Sequence, residues 1–212
     1  MSDFKFFYAP GACSLAPHIL LLEVGAQPEM VKLDLKAGDQ HKDEYKQINP
    51  LGRVPAISTK RGTLTENPAV LGWIARAWPN ARLAPLDDAW AMSQVNSFNN
   101  FISSSVHVAF AHMFRPERYG EGEAAAEAMK ARAPELLDSY FQIIEDKLGD
   151  NPFVHGENYT ISDPYSYVMS RWFQRPGMGH PENFPKVRAH LDRMQERDGV
   201  KRALEAEALE PV

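Results

Sequence analysis

The chain has 212 residues, a formal net charge of −5, a pI near 5.8 and 44% hydrophobic residues. This composition supports a sizeable core and leaves no basic stripe to neutralise nucleic-acid phosphates, so we expect a globular protein without a nucleic-acid partner. The single cysteine, Cys13, excludes an internal disulfide, and in MSDFKFFYAPG the apolar run is too short for a signal peptide. These features predict a cytoplasmic protein.

The first eighty residues alternate short β-rich runs with helical ones. Strands are predicted at 4–8, 29–35, 54–59 and 62–66, and helices at about 14–24 and 67–78. Lys60-Arg61-Gly62 suggests a hairpin between the last two strands, so we expect a mixed sheet. The pattern indicates an α/β domain over residues 1–80.

After Pro79 the periodicity is helical. Helices are predicted at about 88–114, 123–148, 163–174, 185–196 and 199–208. Thr160 and Asp163 have the spacing of a capping box at the start of the third of these helices, which is a structural role. The second domain is therefore predicted to be all-helical and to occupy residues 88–212.

The first helix of this domain is unusual because residues 89–114 include no charged residue. Ser, Asn, Gln and His are too frequent in this segment for a membrane span. Its uncharged polar positions recur every three or four residues and are Ser93, Asn96, Asn100, Ser104 and His107. This stripe predicts a cleft or a subunit contact rather than a solvated face.

Cys13 lies between a Pro-Gly turn and the predicted start of a helix. The helix dipole and unpaired N–H groups at that end favour a thiolate, which predicts a lowered pKa for the thiol. The alternative is a small buried residue at the strand–helix junction. Because the chain has no second cysteine, any thiol chemistry would need a second sulfur from a ligand.

Two other stretches suggest such a ligand. Val54-Pro55 fits a strand end or a cis turn that leaves the Val54 backbone groups free. Glu66 and Asn67 begin the next helix, where Glu66 can bind an ammonium group and the helix N-terminus a carboxylate. Taken singly, Thr65-Glu66 is also compatible with plain helix capping.

Taken together, these stretches and the two-domain pattern resemble the cytosolic glutathione transferases. The run FYAPGACSLAPHILLLEVG is most similar to the bacterial beta class, which carries F-Y-x-P-G-A-C-S. VPAI, TEN, the histidine of SSSVHVAF, FRP and the capping box follow in the family's order over essentially the whole chain. The resemblance implies a thioredoxin-like N-terminal domain, an all-α C-terminal domain and a homodimer.

The resemblance also implies a set of site residues. Glutathione would be bound by Cys13, Leu35, Val54, Pro55, Glu66, Asn67, Asn100 and His107, of which Cys13 and His107 would be catalytic. Tyr8 and Ser14 are competing candidates for stabilising the thiolate. Gly38 stands where relatives tend to carry a basic residue, so the partner of the glycyl carboxylate stays open, with Lys36 as one candidate.

The electrophile pocket implied by the resemblance is mainly aromatic. Its residues would be Phe110, Phe114 and Trp172, with Arg115 as a polar element, although ordinary core packing also explains the three rings. The implied reaction is transfer of glutathione to a hydrophobic electrophile, as in detoxification, without a metal. The alternatives are a glutathione-dependent thiol-disulfide reductase acting through Cys13 and a non-catalytic carrier of hydrophobic ligands or scaffold.

Overall fold

In the computed structural model, which describes residues 4–212, the chain divides into two compact units. The first extends to Met92 and also includes Gln195–Pro211, whereas the second is Ser93–Met194.

The first unit is built on a four-stranded sheet of order β2-β1-β3-β4. The strands are β1 (Phe4–Tyr8), β2 (Glu29–Lys32), β3 (Ala56–Thr59) and β4 (Gly62–Thr65). β1 pairs parallel with β2 and antiparallel with β3, and β3 and β4 form the hairpin. The predicted mixed sheet is confirmed. β2 ends earlier than predicted because the Asp34 carboxylate accepts the N–H groups of Lys36 and Ala37, which turns the chain.

Both faces of this sheet are covered because successive side chains of β1 point in opposite directions. Phe6 and Tyr8 stack with centroids 6.0 Å apart, and Phe4 meets the Trp73 ring edge to face at 5.4 Å. On the other face, Phe7 packs in a buried cluster with Ala9, Leu33, Tyr45, Val54 and Ala56.

Three helices follow in the N-terminal part of this unit. They are α1 (Leu15–Glu23), α2 (Asp43–Lys46) and α3 (Asn67–Ala77). The bounds of α1 and α3 agree with the sequence prediction to within one residue. The single turn of α2 was not predicted because it is too short to show a helical period.

The second unit is helical, as predicted. It contains most of α4 (Ala89–Phe101), followed by α5 (His107–Phe114), α6 (Glu123–Leu148), α7 (Ser162–Phe173) and α8 (Pro185–Gln195). The predicted helix over 88–114 is interrupted by a wider π-helical turn at Ile102–Val106. The buried rings of Phe141 and Phe173 stack at 3.8 Å in the core of this unit.

The capping pair at the start of α7 is confirmed. One Asp163 carboxylate oxygen accepts the Thr160 N–H at 2.6 Å and the Thr160 hydroxyl at 3.1 Å. Its other oxygen accepts the Val154 N–H at 2.8 Å and lies 3.1 Å from Nε2 of His190 in α8. Asp163 is therefore a buried structural link between α7, the preceding loop and α8.

The last helix, α9 (Asp198–Glu207), packs with the first unit. Nε of Arg197 lies 2.8 Å from the Glu23 carboxylate, and Arg202 donates to the Leu22 carbonyl at 3.4 Å. The division by packing therefore differs from the predicted boundaries, which assigned residues 88–212 to one helical domain. Within residues 4–212, none of the helices is both long and apolar enough to cross a membrane.

Candidate functional site

The turn that carries Cys13 is fixed by its own backbone and by Ser14. The Ala12 N–H donates to the Ala9 carbonyl at 3.1 Å, and Gly11 has a positive φ of 68° that suits glycine. The Ser14 hydroxyl donates to the Ala9 carbonyl at 3.2 Å and accepts the Ala9 N–H at 3.1 Å. Because its proton is used inside the turn, Ser14 does not donate to the Cys13 sulfur.

The Cys13 side chain is only 7% exposed, and its thiol donates to the Val54 carbonyl at 3.2 Å. Burial raises the pKa of the thiol to about 12, with a smaller contribution from the negative charge of Glu66. The predicted lowering of this pKa is therefore wrong. Although Cys13 lies two residues before α1, loss of solvation outweighs the stabilisation that the helix end offers to a thiolate.

Val54 lies in a loop whose cis bond was predicted but whose supporting hydrogen bonds were not. The Val54-Pro55 bond is cis, as predicted. The Arg53 carbonyl accepts bonds from the Tyr45 hydroxyl at 2.6 Å and from Asn49 Nδ2 at 2.7 Å. The Val54 N–H donates to no acceptor within residues 4–212, so this donor is available to a ligand.

Asn49 and Tyr45 are supporting residues that were not predicted. The Leu51 N–H donates to Asn49 Oδ1 at 3.1 Å, which forms an Asx turn. This turn could have been predicted, since Asn-Pro dipeptides favour such turns. Tyr45 gave no such signal, because its partner is eight residues away in the chain.

Glu66 and Asn67 begin α3 in different ways. Glu66 is exposed and has φ 67° and ψ 124°, a conformation that is uncommon for a residue with a side chain. Asn67 is buried, and its Nδ2 donates to the Cys13 carbonyl at 3.0 Å while its Oδ1 has no partner. Cys13, Val54 and Asn67 are therefore joined by direct hydrogen bonds, with Glu66 at the same helix start.

Leu35 and Lys36 lie in the loop after β2. Leu35 is half-buried against the cluster that contains Val54, and its carbonyl accepts Gln40 Nε2 at 3.3 Å. The Lys36 side chain is exposed, and its ammonium group forms no ion pair within residues 4–212. Gly38 has a φ of 81° at the start of a short 3₁₀ turn and offers no cation.

Tyr8 is a packing residue in this structure. Its ring stacks on Phe6 and lies 5.4 Å from the His18 ring. Burial, and to a smaller extent the charge of Glu207, raise the pKa of the Tyr8 hydroxyl. This direction disfavours a tyrosinate.

Glu207 of α9 is a residue of this region that the sequence did not reveal. Its carboxylate accepts the Gly11 N–H at 2.8 Å and lies 2.8 Å from Nδ1 of His18. Both side chains of the His18–Glu207 pair are almost fully buried. The last turn of α9 therefore holds the turn that precedes Cys13.

In the second unit, Asn100 and His107 lie on either side of the π-helical turn. Asn100 is exposed, and its carbonyl accepts the Ser103 and Ser104 hydroxyls at 3.1 and 2.8 Å. His107 is half-buried at the start of α5 and meets the Trp172 ring edge to face at 5.3 Å.

The predicted pocket aromatics form one cluster with His107. Trp172 lies 5.4 Å from Phe110 and 5.6 Å from Phe114, both edge to face. Phe110 is fully buried and also meets Phe141, so it supports the other rings as part of the core. Phe114 is half-buried.

The polar groups beside this cluster include one that was not predicted. Arg115 is half-buried and forms no ion pair within residues 4–212. Arg175, two residues after α7, holds its guanidinium carbon 5.4 Å from the Phe114 ring centroid. Among the residues described, no cluster of three or more His, Cys, Asp or Glu is arranged to hold a metal.

The two units match two family models. The model described as the N-terminal domain of glutathione S-transferase matches residues 2–76, and that of the C-terminal domain matches residues 101–198. Glutathione S-transferase GstA of Escherichia coli O157:H7 is 33% identical over 207 residues, which covers 97% of this chain and 99% of GstA.

Solved structures give the same result. A glutathione transferase homolog from Sulfitobacter, with bound glutathione, has a TM-score of 0.91 at 31% identity and covers 99% of this chain and 100% of its own. A bacterial beta class glutathione S-transferase from Sphingomonas chungbukensis has a TM-score of 0.84 at 36% identity, covering 97% of this chain and 100% of its own. The resemblance seen in the sequence is thus confirmed, and the chain belongs to the glutathione S-transferase family of enzymes.

Proposed function

We propose that this enzyme conjugates glutathione to hydrophobic electrophiles in a cytoplasmic detoxification role. Glutathione would bind in its extended form along the Cys13–Val54–Asn67 region, with its backbone paired to Val54. Glu66 would bind its α-ammonium group, and Lys36 its glycyl carboxylate. The glutathione bound in the Sulfitobacter homolog supports this ligand.

One observation favours conjugation over disulfide reduction: the buried Cys13 thiol donates to the Val54 carbonyl and keeps its proton at neutral pH. A thiol–disulfide reductase requires a nucleophilic thiolate. In conjugation the reacting sulfur belongs to glutathione, so Cys13 does not have to ionise.

We propose that His107 acts on the glutathione thiol and that Asn100 also binds glutathione. An imidazole can accept the thiol proton or donate a hydrogen bond to the thiolate near neutral pH. The sulfur then forms a bond to the electrophilic carbon, and the leaving group departs with the electron pair of its former bond. Phe114 and Trp172 would form the wall of the electrophile pocket, with Phe110 behind them.

A two-fold dimer is part of this proposal. Trp90 is 75% exposed on the uncharged helix α4, and a large exposed aromatic side chain on an uncharged surface favours a protein contact. Light scattering is expected to give twice the chain mass, and a monomer of 23.9 kDa at micromolar concentration would contradict the dimer.

The function is tested with two assays on one preparation. The wild type is expected to conjugate 1-chloro-2,4-dinitrobenzene with glutathione and to reduce a mixed disulfide such as hydroxyethyl disulfide poorly. Cys13→Ala should keep measurable conjugation. Efficient disulfide reduction that disappears in Cys13→Ala would identify a reductase, and the absence of both activities would identify a carrier.

A further inference from the structure

An unpredicted cation lies on the aromatic cluster of the second unit. The Arg175 guanidinium stands over Phe114 at 5.4 Å, and Phe114 meets Trp172, which in turn meets His107. A guanidinium that packs over an aromatic ring can still use its N–H groups to bind another partner.

Among the residues that the structure describes, no acidic neighbour balances the charge of Arg175. Arg175 forms no ion pair within residues 4–212, and the charged group that affects it is Arg171, another cation. Arg171 is itself directed to Tyr167, whose hydroxyl accepts its Nη1 at 3.3 Å. The Arg175 side chain is exposed, so its guanidinium can be reached by a ligand. Partial desolvation, followed by the charge of Arg171, lowers the pKa of Arg175.

We propose that Arg175 makes this aromatic wall select electrophiles that carry a carboxylate. The rings would hold the apolar body of the substrate, and the guanidinium edge would bind the carboxylate in a bidentate manner. This inference rests on the proposed conjugation and specifies its substrate class. With a chloronitrobenzoate, the glutathione sulfur replaces chloride at the ring carbon, chloride leaves with the bonding electrons, and the thiol proton goes to a base; the carboxylate is unchanged.

A purely structural role for Arg175 makes a different prediction. Arg175 follows the last residue of α7, Phe173, and a cation at a helix C-terminus stabilises the helix. If that is its whole role, Arg175→Gln lowers the melting temperature and leaves substrate preference unchanged, which would overturn the proposal.

The test compares a charged and a neutral electrophile of nearly equal size, 4-chloro-3-nitrobenzoate and 4-chloro-3-nitrobenzamide. We expect the wild type to favour the benzoate in kcat/KM, and Arg175→Gln to lower the benzoate-to-benzamide ratio about tenfold. Arg175→Lys should lose part of the preference, because an ammonium group cannot make the bidentate contact. Arg193→Gln is the matched control, since Arg193 is an exposed arginine of the same unit that donates to the Pro152 carbonyl.

A binding measurement separates this inference from the proposed function. Calorimetry with 4-nitrobenzoate and 4-nitrobenzamide, both unreactive, is carried out in the presence of S-methylglutathione. The inference is supported if the wild type binds the benzoate and Arg175→Gln weakens this binding about tenfold. This holds even if the wild type conjugates nothing, and in that case only the proposed function fails. Equal binding of the two probes, no binding of the benzoate, or equal losses in Arg175→Gln and Arg193→Gln would overturn the inference.

Discussion

Cys13 lies where a helix end would favour a thiolate, yet its surroundings favour the thiol. Its sulfur is buried, donates to the Val54 carbonyl and is close enough to Glu66 for that charge to oppose ionisation. Desolvation is the largest of these effects, so Cys13 carries a proton at physiological pH.

Alkylation of Cys13 should therefore show an unusual pH dependence. In the folded, ligand-free protein we expect iodoacetamide to react slowly at neutral pH, with a rate that rises only towards pH 12. Because the folded pKa lies above the unfolded value, the free energy of unfolding should also fall as the pH increases from about 9 towards about 12. The protein unfolded in urea is the control, and an inflection at pH 8.5 or below in the folded protein would contradict the account.

Glu66 combines an unfavourable backbone conformation with an exposed carboxylate. Glu66→Gly should remove the strain of φ 67°, leaving stability equal or higher by about 1 kcal/mol, while raising the KM for glutathione about tenfold. Glu66→Gln should raise the KM similarly without the gain in stability. Melting temperatures and KM values measure the two effects separately; an unchanged KM in both variants would exclude Glu66 from glutathione binding.

Among the structural elements, α9 is joined to α1 and to the Cys13 turn through Glu207, which is buried and bonded to both. Glu207→Ala leaves the Gly11 N–H and His18 Nδ1 buried without this partner, so it should lower the free energy of unfolding by about 3 kcal/mol. Glu207→Gln should cost less, because its amide can still accept the Gly11 N–H and donate to the other tautomer of His18.

Arg197→Ala is the control on the same segment. It removes the partly exposed contact with Glu23 and should cost about 1 kcal/mol or less. Urea unfolding measures all three variants. Equal losses of unfolding free energy in Glu207→Ala and Arg197→Ala would show that the buried His18–Glu207 pair stabilises the protein no more than the partly exposed contact does.

The longer helices could be predicted from local sequence patterns. An irregularity inside a helix could not. Apolar periodicity located α1, α3 and α6 closely, and the Thr160–Asp163 spacing identified the start of α7. The π-helical turn at Ile102–Val106 was missed because a widened turn leaves the spacing of apolar residues nearly unchanged.

At the scale of the whole molecule, partners distant in the chain escaped prediction. The period of α9 indicates a helix but does not state which unit it packs on, and Glu207 is separated from Gly11 by 196 residues. Arg175 gave no signal because a cation–π contact has no fixed spacing. The sign of the Cys13 pKa shift was wrong for a related reason, since burial depends on tertiary packing that a local motif does not report.

We propose that His107, rather than Tyr8, acts on the glutathione thiol. Steady-state conjugation of 1-chloro-2,4-dinitrobenzene by Tyr8→Phe and His107→Ala distinguishes the two residues, with kcat and the KM for glutathione determined for each. We predict that His107→Ala lowers kcat by about 10²-fold or more with a smaller change in KM, whereas Tyr8→Phe keeps a kcat close to that of the wild type, because Tyr8 is a buried packing residue whose ring stacks on Phe6. Loss of conjugation in Tyr8→Phe with normal turnover in His107→Ala would contradict the assignment.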